Sequence, residues 1–166
     1  TNHFLFNQNI YTAYATWDNS LGSFAWMLGI RGEYSRVQSD LRTLNQVVKN
    51  NNLMCFPTLH TSYKLDDRQE LQLNYSLRVN RPEGDDMNPF PEYQDPYNLR
   101  AGNPHLKPEK IHSVEIGWQY KKDATTLILT PYYRYTFNRM TSITKVLADG
   151  VLMTTKENMS SNSAAG

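Results

Sequence analysis

The 166 residues contain one cysteine, Cys55. A single thiol excludes an internal disulfide and a multi-cysteine zinc site. Beside Phe56 it reads as a small apolar packing residue. An excess of either charge is also missing. Seventeen Lys and Arg against sixteen Asp and Glu leave a net +1, which speaks against a dedicated nucleic-acid binder. No window holds the roughly 18 apolar residues of a membrane-spanning helix. Hydrophobic residues reach only 39%, and mean hydropathy is −0.64. What is abundant is tyrosine, with 11 copies, too aromatic a composition for simple disorder. A β-rich protein fits. So does a transmembrane β-barrel, which looks hydrophilic on average because only alternate residues face lipid.

Alternation is the dominant pattern. Over residues 70–80, Leu71, Leu73, Tyr75, Leu77 and Val79 oppose Glu70, Gln72, Asn74, Ser76, Arg78 and Asn80. Over 24–34, Phe24, Trp26, Leu28, Ile30 and Tyr34 oppose Ala25, Met27, Gly29, Arg31 and Glu33. Each run is about the length of a membrane-spanning strand and longer than the five or six residues of a typical soluble one. Weaker alternation marks four more segments. The expectation is an all-β, antiparallel up-and-down meander of about six strands, near 4–17, 24–36, 54–65, 70–81, 111–121 and 125–138. Pro57 and Pro131 each mark a bulge, a strand start or an edge.

Short turns rich in turn formers, at 18–22, 66–69 and 121–124, alternate with long connections. The long loops are placed at 37–53 and 82–110, and residues 156–166 read as a flexible tail after a partial barrel domain over 1–155. Within 37–50, Leu41, Leu44, Val47 and Val48 also allow a short amphipathic helix capped by Ser39 or Asp40. Ordinary domains rarely hold long structureless loops, whereas short turns at one end and long loops at the other describe an outer-membrane barrel. Aromatics at strand ends, Trp17, Tyr34, Tyr63, Tyr120 and Phe137, suit an interfacial girdle.

Enzyme motifs are weak. Ser142-Ile-Thr-Lys145 matches a Ser-x-x-Lys nucleophile pattern without its companions. No Gly-x-Ser-x-Gly, P-loop or His-Glu-x-x-His occurs, and the four histidines lack ligand spacing. The chain is expected to be no enzyme, with no cofactor and no resident metal. The second long loop gathers Glu83, Asp85, Asp86, Glu92 and Asp95. Such an oxygen-rich loop has the composition of a calcium site, but without ordered spacing a solvated acidic loop is the plainer reading. Arg78, Arg81 and Arg100 can hold loop carbonyls or carboxylates through forked hydrogen bonds. Tyr93 and Tyr97 can stack on a ligand or simply pack. Asp95 and Asn103 each precede a proline in turn-initiating dipeptides. These seven residues are the candidates for ligand contact or loop bracing.

That loop reads Arg78-Val-Asn-Arg-Pro82, then Met87-Asn-Pro-Phe90, Asp95-Pro-Tyr-Asn-Leu-Arg100, and Gly102-Asn-Pro-His-Leu-Lys-Pro-Glu109. It resembles the barrel of TonB-dependent outer-membrane receptors, in particular the outer-membrane β-barrel family common in Bacteroidetes. Tyr14-Ala-Thr-Trp17, Gly29-Ile-Arg-Gly-Glu-Tyr34 and Phe56-Pro-Thr-Leu-His60 resemble the same family's strands. The resemblance implies a cell outer-membrane location, contact with membrane lipid, and a fragment of a receptor that imports a nutrient ligand. It also implies an N-terminal plug domain and TonB as partners of a longer parent, of which these strands form about a quarter of the barrel. The competing expectation is a soluble β-rich module, carbohydrate-binding in kind. An isolated piece with two free sheet edges would favour an edge-paired dimer.

Overall fold

The computed structural model describes residues 3–148 and 150–166. Four long antiparallel strands open it: β1 (Phe4–Leu21), β2 (Phe24–Leu41), β3 (Gln46–Lys64) and β4 (Gln69–Asn80). The chain then makes one helical turn, α1 (Gly84–Met87), and a small hairpin, β5 (Glu92–Asp95) and β6 (Asn98–Arg100). It returns as β7 (Glu109–Lys122), β8 (Thr125–Leu129) and β9 (Tyr132–Phe137). A second hairpin follows, β10 (Met140–Val146) and β11 (Leu152–Asn158), and then β12 (Asn162–Ala165). The main sheet runs β1-β2-β3-β4-β7-β9-β12, with β8 also on β7, and a second sheet runs β10-β11-β6-β5. The main-sheet strands are paired antiparallel, each hydrogen-bonded to its neighbour in that order.

The expected loop or helix over 37–53 is instead the far half of a hairpin. Register continues from Val37 opposite Asn50 to Leu41 opposite Gln46, closed by a 3-10 turn at Arg42–Leu44. Asn45 takes a left-handed conformation, φ 52°. The helical spacing of the apolar residues marks no common face here: Val48 lies on the same side as Leu41, and Leu44 lies in the turn. Leu41 falls on the polar-face side, 2% exposed, while Val47 falls on the opposite side. β2 is paired on both sides along these arms, with β1 and with β3, and that ladder supplies hydrogen bonds without the nucleation cost of an isolated short helix.

Two further segments differ from expectation. The 82–110 connection is not structureless, since it holds α1, β5 and β6. Residues 156–166 complete β11 and form β12, whose small side chains lie along the β9 edge, with Ser163 opposite Tyr135 and Ala165 opposite Tyr133. The 125–138 strand divides at Pro131, whose missing N–H ends one ladder segment. Its carbonyl still accepts from Ile116, at 3.0 Å. Pro57 lies inside β3, one residue beyond Thr58, the last β3 residue paired with β4.

One face of the main sheet is apolar in ordered rows. Cross-strand register aligns Leu21, Phe24 and Tyr63, then Trp17, Leu28 and Leu59, then Ala15, Ile30 and Pro57, then Tyr11, Tyr34 and Leu53. Nearly all of these side chains are exposed to surroundings outside the chain, Tyr11 by 60% and Leu53 by 81%. The two-residue turn joining β1 to β2 uses Gly22 at φ +59°, the conformation a hairpin turn demands at its first position. Aromatic contacts gather at this end: Phe24 stacks on Trp26 at 5.5 Å, Trp17 meets Trp26 edge-on at 5.9 Å, and Trp118 stacks on Tyr120. Tyr75, His112, Tyr135 and Phe137 form a second aromatic chain toward the other end of β7 and β9. Phe24 to Tyr34 is eleven residues, enough for the hydrocarbon thickness at the usual barrel tilt.

Candidate functional site: a polar groove under a braced loop

The opposite face is polar, and the few buried side chains lie on it or under the loop that covers its end. Glu33 on β2 is 6% exposed. It takes the Arg31 guanidinium at 3.1 Å and is hydrogen-bonded by Arg81. The Arg31 guanidinium also sits over the Phe56 ring, 4.8 Å from its centre, so Phe56, 2% exposed, is roofed by a cation. A buried carboxylate is tolerated only with such partners. Arg81 therefore ties the start of the long loop to β2.

The loop itself closes on Asp86. This carboxylate, 7% exposed, receives Lys156 from β11 at 2.8 Å and Arg100 from β6 at 3.3 Å. The Asp86 carbonyl accepts from the Asn103 backbone N–H at 2.7 Å, and the Asn103 side chain donates to the Lys156 carbonyl at 3.2 Å. Gly102 donates to the Asn88 carbonyl at 2.6 Å. A Cβ at Gly102 would lie 2.6 Å from two carbonyl oxygens, so only glycine fits this crossing.

Downstream, the Asn158 side chain accepts from the Lys107 N–H at 2.7 Å and donates to the carbonyls of Lys107 and Asn138. Glu109, 9% exposed, accepts from the Asn80 amide at 2.8 Å and from the Met140 N–H at 2.6 Å. Asp95 closes its own turn: it accepts from the Tyr97 N–H at 2.8 Å and from the Asn98 amide. These hydrogen bonds, first the one from Tyr97, hold its carboxyl below the usual range.

Between loop and short turns lies an open groove of about 350 Å³ on the polar face. Tyr14, Arg31, His60, Arg78, Ser113 and Glu115 are among its lining residues. His60 Nδ1 and Asn74 Oδ1 are 2.9 Å apart. Such a surface offers hydrogen-bond donors and both charges to a polar occupant, beside the apolar side chains of Phe56 and Leu77.

The seven candidate residues are thus not one cluster. Arg81, Asp95, Arg100 and Asn103 hold backbone or carboxylates in place. Arg78 lies apart, exposed in the groove, and Tyr93 and Tyr97 are 65% and 73% exposed on the β5–β6 hairpin. The sequence reading missed Glu33, Glu109, Lys156 and Asn158 as bracing residues. It took Asp86 for a solvated loop acid. Only Glu109 carried a signal, as the last residue of the Asn-Pro-x-Leu-x-Pro-Glu run. Among the described residues no three His, Cys, Asp or Glu side chains converge on a common metal position.

The profile of the outer membrane protein beta-barrel family matches residues 1–166. The chain belongs to that family. Its apolar face is accordingly the lipid-facing surface of an outer-membrane barrel, and its polar face looks inward. A soluble sandwich module is not favoured. No curated protein matches the chain. Among solved structures, the siderophore receptor PirA from Pseudomonas aeruginosa is similar at 15% identity and TM-score 0.64, over 97% of this chain and 39% of that one. The hemophore receptor HasR of Serratia marcescens, solved with its hemophore HasA and heme, matches at 13% identity and TM-score 0.73, over 96% of this chain and 31% of that one. The copper transporter OprC matches at 13% identity and TM-score 0.69, over 91% and 24%. At these identities the likeness is one of fold. The chain spans between a quarter and two-fifths of the length of these relatives.

Proposed function

We propose that this chain supplies strands and extracellular loops to a TonB-dependent outer-membrane receptor for nutrient uptake. The observation that carries the reading is the pairing of a lipid-facing aromatic and aliphatic face with a polar, charged groove on the other side of the same strands. Known barrels of like fold are named as receptors or transporters for siderophore, copper and hemophore-bound heme. Their cargoes differ while the barrel is shared, so the cargo here is set by loop and groove residues. Arg78, Tyr93 and Tyr97 are the side chains free to meet it. Arg81, Asp95, Arg100 and Asn103 hold the loop that presents them.

On this reading a plug domain of the full-length protein fills the polar face, and TonB acts on that plug. The free edges of β1 and β12 pair with further strands of the same barrel, so a dimer through those edges is unnecessary. No catalytic step is required of any residue. The test uses the full-length protein. It is expected to fractionate with the outer membrane, to change electrophoretic mobility on heating, and to retain the periplasmic domain of TonB. A soluble periplasmic protein, or a heat-modifiable barrel that does not retain TonB, overturns the proposal.

A further inference from the structure

On the lipid-facing side, the row formed by Tyr11, Tyr34 and Leu53 is followed at once by Asn9, Arg36 and Asn51, and the next row places Lys49 opposite Gln38. Two polar rows thus follow the apolar ones on all three strands, before Leu5 and Val47 flank Asp40 on the same face. Aromatic rings mark the headgroup level of a bilayer, and cations just beyond them meet lipid headgroups. We propose that Arg36 and Lys49, flanked by Asn9 and Asn51, bind the phosphate of a phosphorylated lipid headgroup in the outer leaflet.

Three observations carry this assignment. Six ion pairs among the described residues occupy Arg31, Arg42, Arg81, Arg100, Lys145 and Lys156 with carboxylates. Arg36 and Lys49 have no such partner, although both are exposed. Second, Arg36 is aimed by its own face: its guanidinium stacks on the Tyr34 ring at 5.2 Å, and its Nε donates to the Tyr34 hydroxyl at 3.3 Å. The two terminal nitrogens make no hydrogen bond among the described residues, which leaves the paired donors that suit a phosphate. Third, register puts Lys49 on the diagonal from Arg36, roughly 7–8 Å across one face, close enough for two cations to share one anionic group. The nearest acid on this face, Asp40, is paired with Arg42 at 3.5 Å.

The inference rests on the apolar face meeting lipid and is independent of uptake. The test is native mass spectrometry of the purified full-length protein loaded with bis-phosphorylated lipid A, or with the same lipid after enzymatic dephosphorylation. The wild type is expected to retain the phosphorylated form preferentially. The double variant Arg36→Gln, Lys49→Gln is expected to lose retention roughly thirtyfold, at about 1 kcal/mol for each of the two cations. Lys121→Gln, at the short-turn end, is expected to keep it. Equal retention of both lipids by the wild type, a comparison that needs no variant, overturns the proposal. So does unchanged retention by a double variant that still shifts on heating. Loss of heat-modifiable migration in the wild type would strike the barrel reading instead.

Discussion

Lys156 and Asp86 lie 70 positions apart and meet at 2.8 Å. That contact joins the β10–β11 hairpin to the long loop between β4 and β7, and Arg100 adds a strand from inside the loop itself. The loop is thereby part of one braced layer with the β10–β11 hairpin, rather than an independent flap. Removing the carboxylate strips two cations of their common partner and frees the α1 turn. Because Arg100 and Lys156 keep partial solvent contact, the loss is moderated by water. Asp86→Ala is expected to loosen the loop by about 1–2 kcal/mol. Hydrogen exchange over residues 84–106 of the full-length protein should rise, with the β1–β3 amides unchanged. Lys156→Met should show the same pattern more weakly.

Gly102 probes the same crossing without touching charge. Gly102→Ala places a methyl against the Asn88 and Asp86 carbonyls. Backbone on both sides gives little room to shift. The expected cost is about 1–3 kcal/mol, as for an overpacked interior site, read as faster protease cleavage between β4 and β7 on intact cells. Gly32→Ala, with open space around its Cβ position, is the matched control and should leave cleavage unchanged.

Glu109 accepts from two donors at once, the Asn80 side chain and the Met140 N–H. A glutamine at this site has only one carbonyl oxygen and must turn its NH₂ toward a donor. Glu109→Gln is therefore expected to cost nearly as much as Glu109→Ala, about 1–3 kcal/mol each. Urea midpoints of the full-length protein in lipid vesicles measure both. A near-neutral Gln variant would show that one of the two bonds is dispensable.

How much of this was legible beforehand follows from which interactions are local. Alternation over 70–80 and 24–34 is a property of neighbours in sequence, and it disclosed the strands and the two faces. Pro131 announced its break for the same reason. The 37–53 hairpin was concealed because Leu41, Leu44, Val47 and Val48 have helical spacing and no strand alternation, and pairing with a partner strand decided the matter. Asp86 was unreadable as a hub because its partners come from β6 and β11. Arg81 was expected to hold a carboxylate through a fork, but it reaches Glu33 through one terminal nitrogen, and nothing near it in sequence names Glu33 as the acceptor.

Asp95 gives a prediction in pH. Its carboxylate accepts from the Tyr97 N–H and the Asn98 amide, and its pKa is lowered. A lowered folded-state value means that the turn is stabilised above the ordinary carboxylate range and loses that support as pH falls through the lowered value. Between pH 7 and 5 the β5–β6 hairpin should therefore be insensitive to pH. Below about pH 4 the Tyr97 amide should exchange faster, after correction for intrinsic rate. Asp95→Asn should remove most of the pH dependence, because its amide oxygen still accepts but cannot titrate.

The sharpest check on the lipid-facing assignment compares two arginines on adjacent strands. Ile30 lies midway between the Phe24 and Tyr34 rows and is 54% exposed. Asn9 lies one alternate position beyond the Tyr11–Tyr34 row. If those rows bound the hydrocarbon, Ile30→Arg forces a charge to mid-depth, at an expected cost of about 2–4 kcal/mol, while Asn9→Arg near the headgroups costs about 0–1. Both are read as shifts in the urea midpoint of the full-length protein refolded into lipid vesicles. In a water-soluble sheet the two substitutions would cost alike and little, since both positions are open to solvent there. A midpoint difference near zero would therefore remove the membrane from the apolar face, and a difference in the stated range places its boundary between the rows of Ile30 and Arg36.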